Sequence, residues 1–114
     1  MISFACKSIE IKDLIKCSFD LNKTDYTLFE FLITHKGEFA VGDINNILKL
    51  ERSTIQKAIK TLLARDLVIR RQVNFGQGGY QFYYSIKDKE AVKERIIAII
   101  DGWQKKAKDA IKLI

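Results

Sequence analysis

A chain of 114 residues is the size of one domain, and its 47% hydrophobic content is enough to bury a core, which excludes a disordered tail. The net charge of +6 and a pI near 9.4 suit partners with negative surfaces, nucleic acid first and an anionic membrane second. No stretch approaches a transmembrane length, one His and two Cys cannot build a His-rich metal site, and Glu10 and Asp13 follow Met1 where a leader would be basic and then apolar; a cytoplasmic protein with no membrane partner and no cofactor is expected.

Residues 1–20 read as an N-terminal helical extension, because Ile11, Leu14 and Ile15 predict a helix from about Ser8 to Cys17. Cys6 and Cys17, with ten residues between them, are too few for a four-ligand zinc site. Packing is their expected role. Redox chemistry is the alternative, since a disulfide would tether the N-terminus to the first helix.

Residues 21–86 carry the main pattern. Asn22 reads as an N-cap, with Asp25 as the acid of a capping box and Leu21 stapled to Tyr26, and the helix that follows buries Leu28, Phe29, Leu32 and Ile33. Gly37 stops it, and Glu38-Phe39-Ala40 is long enough only for a short strand at the edge of a later hairpin. Ile44, Ile47 and Leu48 form the apolar face of a short helix, and Lys49-Leu50-Glu51 is a turn. From Arg52 to Arg65, Ile55, Ala58, Ile59, Leu62 and Leu63 make one buried stripe, while Ser53, Lys57, Lys60 and Ala64 point the other way with Gln56 and Thr61 on the flanks. Leu67, Ile69 and Arg71 then alternate with Val68, Arg70 and Gln72, and Tyr80, Phe82, Tyr84 and Ile86 with Gln81, Tyr83 and Ser85. These are two strands around the glycine-rich tip Asn74–Gly79. Residues 51–86 hold 6 Lys/Arg against 2 Asp/Glu, so the positive charge collects where this pattern lies.

Residues 87–114 form a single terminal helix opened by Asp88 as N-cap. One row runs through Val92, Ile96, Ile99 and Trp103, and a neighbouring row through Ile97, Ile100, Ala107, Ile111 and Ile114. A helix of about 26 residues is roughly 40 Å long, more than a domain this size is wide, so part of its apolar surface is expected to cover a second copy of the chain. The first row, Val92, Ile96, Ile99 and Trp103, is the expected dimer interface.

Helix, three-residue turn, cationic helix and two-stranded hairpin are the order of a winged helix-turn-helix. The expected fold is mainly α with a small β-hairpin wing and additional N- and C-terminal helices, and the expected partner is double-stranded DNA. Ser53, Thr54, Gln56, Lys57 and Lys60 are expected to face the major groove, with Arg52, Arg70, Arg71, Asn74 and Gln77 on phosphates or the minor groove. A protein-protein adaptor built on the same fold is the alternative. Catalysis has little support: His35 stands alone near a helix end, and Gly76-Gln77-Gly78-Gly79 lacks the following Gly-Lys-Ser/Thr of a phosphate loop and lies between strands.

Nearly the whole chain resembles the small archaeal winged-helix regulators of the TrmB-like and MarR-like groups. Leu21–Tyr26 opens the first helix, Arg52–Leu62 matches the recognition helix with Arg52-Ser53-Thr54 its most specific part, Arg65–Val68 enters the wing, and Gly78-Gly79-Tyr80 leaves it. The resemblance implies a dimeric transcription factor whose terminal helices pair. Two departures stand out: Glu51 occupies the place of the usual Ser, Thr or Asp N-cap, and no segment corresponds to the sugar-binding domain of larger TrmB-type regulators, so no sugar effector is implied.

Overall fold

The computed structural model describes residues 1–114, with the elements β1 (Ile2–Phe4), β2 (Lys7–Ile9), α1 (Ile11–Phe19), α2 (Lys23–Thr34), α3 (Val41–Leu48), α4 (Arg52–Ala64), β3 (Val68–Asn74), β4 (Tyr80–Ile86) and α5 (Lys89–Lys112). This is a winged helix-turn-helix with added terminal elements. No helix is long and apolar enough to cross a membrane.

Local chemistry sets the start of α2. Asn22 Oδ1 accepts the Asp25 amide at 2.7 Å, and Asp25 Oδ2 accepts the Asn22 amide at 3.1 Å. Asp25 is therefore satisfied although it is buried. Replacing Asn22 with Ala is expected to cost about 1 kcal/mol. Urea denaturation should show this as a lower midpoint with an unchanged slope.

α2 is the centre of the core. Leu28, Phe29 and Leu32 are buried as expected, and Ile33 is half-buried against them. Phe31 is buried as well, its ring 4.8 Å from Phe39. A helix covered on several sides, here by α1, α4 and β4, buries more than one stripe. From α4 come Ile55, Ala58, Ile59 and Leu62; from α3 comes Ile44; Leu67, Val68, Tyr84 and Val92 close the cluster. In α3, Val41 and Leu48 line up with Ile44, whereas Ile47 is 54% exposed and does not belong to the inward face expected for it. Its Cα direction lies roughly 60° to one side of Ile44, with Val41 and Leu48 on the other.

β3 and β4 pair antiparallel from Val68↔Ile86 to Asn74↔Tyr80. Phe39 exchanges two backbone hydrogen bonds with Tyr84, at 2.9 and 2.8 Å, so the segment before α3 does edge the wing. The inward face of β3 starts with Val68, while Ile69 is exposed.

The N-terminus differs from the helix expected over Ser8–Cys17. Residues 2–9 form a hairpin with Ile2 opposite Ile9, and the helix begins at Ile11 and runs to Phe19. Strands of three residues are too short to show an alternation, and their turn passes through Ala5 at φ 50° without the Gly or Asn that normally announces it. Cys6 and Cys17 are both free and exposed. They are not the packing residues expected from composition.

Candidate nucleic-acid interface

α3 is capped by Lys49, whose φ of 57° reverses the chain, and Asn45 Nδ2 donates to the Leu50 carbonyl to hold the turn shut. Three residues later α4 begins. Gly42, in the first turn of α3, leaves room for the Arg52 guanidinium, whose Nη2 lies 3.2 Å from where a side chain at Gly42 would start. Glu51 is the N-cap of α4 but makes no side-chain cap hydrogen bond, and the first turn has no acidic residue. The first amides of α4 therefore lack a side-chain acceptor and carry the positive end of the helix dipole.

With Ile55, Ala58, Ile59 and Leu62 buried, Ser53, Lys57 and Lys60 are exposed on the opposite side of α4, with Gln56 exposed on its flank and Arg52 exposed at its start. Thr54 is half-buried on the flank. Neither Lys57 nor Lys60 is engaged in an ion pair.

In the wing Arg70, Arg71, Asn74 and Gln77 are exposed, but they are not one surface. Consecutive strand residues face opposite ways. Arg70 lies on the face of Val68 and stacks over the Phe82 ring at 4.2 Å, whereas Arg71 shares the other face with Ile69 and sits 5.6 Å from the Tyr83 ring. Arg71 also donates to Glu38, with Nε 2.7 Å from Oε2. That hydrogen bond holds the Glu38 carboxyl below its ordinary range and raises Arg71. The pair is intact at neutral pH and is lost only as pH falls through the depressed value. Asn74 Oδ1 accepts from Gln72 Nε2 at 2.9 Å. At the tip, Gly78 and Gly79 have φ of 94° and 82°, and Phe75 and Tyr80 flank them exposed. Beside the polar residues expected at this tip, the two aromatics are therefore also presented on its surface. Their exposure follows from the hairpin extending beyond the core, which no local pattern records.

The terminal helix corrects the interface expected from its first row. Val92 is 2% exposed and belongs to the protomer's own core, and Ile96 is half-buried against the same core. Ile99 and Trp103 are exposed, as are Ile97, Ile100 and Ile111. The first two turns of α5 dock at home, and the same face is bare beyond them. The molecule measures 68 × 23 × 22 Å.

Comparison with known proteins agrees with this architecture. An uncharacterized protein of Methanocaldococcus jannaschii, MJ1082, is 30% identical over 102 residues, covering 90% of this chain and 83% of its own. The solved structure of a possible transcriptional regulator from Methanosarcina mazei superposes with a TM-score of 0.86 at 30% identity, covering 98% of this chain and 94% of that one. The S. aureus MepR-DNA complex shares the fold at 16% identity, with a TM-score of 0.56 over 89% of this chain and 82% of its own. The family described as the sugar-specific transcriptional regulator TrmB matches residues 15–90. A match over well more than half of the sequence, on a winged helix-turn-helix, means that the chain belongs to the TrmB family of transcriptional regulators.

Proposed function

We propose that this protein is a cytoplasmic, non-enzymatic regulator that binds duplex DNA sequence-specifically as a homodimer. The observation that carries the reading is the bare cationic face of α4, where Ser53, Gln56, Lys57 and Lys60 stand exposed on a helix whose N-terminus has no side-chain cap. Side chains of this kind donate to base edges, and lysines with free amines neutralise phosphates. Arg52 and the half-buried Thr54 flank the contact, and Arg70, Asn74 and Gln77 reach the backbone beside it. MepR, of the same fold, is known in complex with DNA.

α5 supplies the second half of the proposal. Monomeric proteins rarely leave a long row of large apolar side chains bare, and Ile97, Ile99, Ile100, Trp103 and Ile111 are all exposed here. Pairing with the same helix of a second copy covers them and places two recognition helices on one duplex, addressing half-sites about 34 Å apart.

Selection of genomic fragments by the purified protein, followed by binding measured across a salt series, tests the reading. A small set of fragments sharing an inverted repeat is expected, with affinity falling by about 0.9 logarithmic units per neutralised phosphate for each tenfold rise in salt. Absence of any selected fragment, or salt-independent binding to a protein partner, would replace DNA with an adaptor function.

Glu38→Gln provides a separate check on the wing. Removing the negative charge that neutralises Arg71 raises the net charge of the wing by one, which is expected to raise DNA affinity a few-fold at low salt and to steepen the salt slope by up to about one unit. Fluorescence anisotropy with a selected duplex reads both. Unchanged affinity would mean that Arg71 serves the wing alone.

A further inference from the structure

α5 touches its own domain over little more than two turns, through buried Val92 and half-buried Arg95 and Ile96. Two apolar side chains define a contact but not an angle, because hydrophobic attraction is non-directional. Arg95 supplies the direction. Its Nη1 donates to the Asp66 carbonyl and its Nη2 to the Arg65 carbonyl, both at 2.9 Å, and its guanidinium lies 4.9 Å from the centre of the Phe19 ring. Arg65 is the C-cap of α4, and Asp66, at φ 57°, is where the chain turns toward β3. A rigid cationic fork suits carbonyls at the negative end of a helix, and it ties α5 to the recognition helix itself. The corner is braced further by Lys87 Nζ, 2.9 Å from both carboxylate oxygens of Asp66, and by Arg65 Nε, which donates to the Phe19 carbonyl at 2.8 Å.

We propose that Arg95 is a positioning residue for DNA recognition: its fork on the Arg65 and Asp66 carbonyls fixes the angle between α5 and α4, and thereby the half-site spacing that the dimer accepts. The inference rests on the α5-paired, DNA-binding homodimer proposed above. The lever arm makes the angle consequential. From Arg95 to Lys112 the helix extends about 26 Å, so a tilt of about 10° at the corner moves its far end by about 4 Å, more than the roughly 3.4 Å between successive base pairs.

The test uses Arg95→Lys, which keeps the charge without the fork, and Arg95→Ala. Each variant and the wild type are checked for a cooperative melt and for dimers by sedimentation. They are then bound to a single half-site taken from the genomic selection, and to duplexes carrying that half-site as an inverted repeat with its spacing stepped one base pair at a time. The wild type is expected to prefer one spacing by roughly tenfold or more, and both variants to bind the single half-site as the wild type does while accepting neighbouring spacings within about threefold of the best. A sharp spacing preference retained by folded, dimeric variants overturns the proposal. So does an equal loss at every spacing and at the single half-site, which would make Arg95 a DNA contact or a support of α4. Loss of the cooperative melt in both variants would make it a folding residue instead. A monomeric wild type defeats the dimer reading before any variant is compared.

Discussion

Ile99→Glu is expected to yield a folded monomer of 13.2 kDa that has lost most of its affinity for a two-half-site duplex. Ile99 is already 43% exposed in the protomer and lies beyond the part of α5 that docks on its own core, so a carboxylate there meets water and the melting temperature should hardly move. In a dimer the same carboxylate is buried against apolar side chains without a partner, a situation that costs about 3 to 5 kcal/mol where a buried charge loses its counterpart. Losing the dimer also makes the second half-site an independent event, and linked binding is worth about 10²- to 10⁴-fold in affinity. Sedimentation velocity and a binding isotherm on one duplex read the two effects. A variant that remains dimeric would move the interface away from the Ile99 and Trp103 row.

Lys57→Ala combined with Lys60→Ala is expected to produce the second large effect. Both side chains are exposed on α4 opposite its buried stripe, and neither supports the fold through an ion pair, so the thermal stability should stay within about 0.5 kcal/mol of the wild type. DNA binding should fall by more than tenfold. If both lysines hold phosphates, the loss is the same for every sequence and the salt slope falls by about one unit for each; if either reads a guanine, discrimination at one position falls by about 1 to 3 kcal/mol. Unaltered affinity would sink the assignment of α4 as the reading helix.

The parts of this fold that were legible in the sequence are those whose periodicity spans several turns. The stripe of Ile55, Ala58, Ile59 and Leu62 fixed both the inward side of α4 and, by exclusion, its cationic side, and Asn22 with Asp25 announced the start of α2 in four residues. Shorter signals were ambiguous: the hairpin at residues 2–9 has strands of three residues and turns at Ala5. The placement of Val92 in the protomer's own core has a different origin. Periodicity shows that a helix face is apolar but not what covers it, and α5 packs one face on its own core in its first two turns and leaves the same face exposed beyond them. Non-local pairs escape sequence reading altogether. Arg71 is expected from the sequence on phosphates or the minor groove, and nothing near it in the chain announces its bond to Glu38, 33 positions away; the bonds of Arg95 span 29 and 30 positions.

Sedimentation velocity of the protein mixed with a fluorescent duplex recovered from the genomic selection decides whether a dimer binds DNA, because one boundary reports both the partner and the stoichiometry. A single faster species carrying two chains per duplex, dissolving as salt is raised, is the predicted result. Free duplex sedimenting apart from a 13.2 kDa protein at micromolar concentration would contradict it.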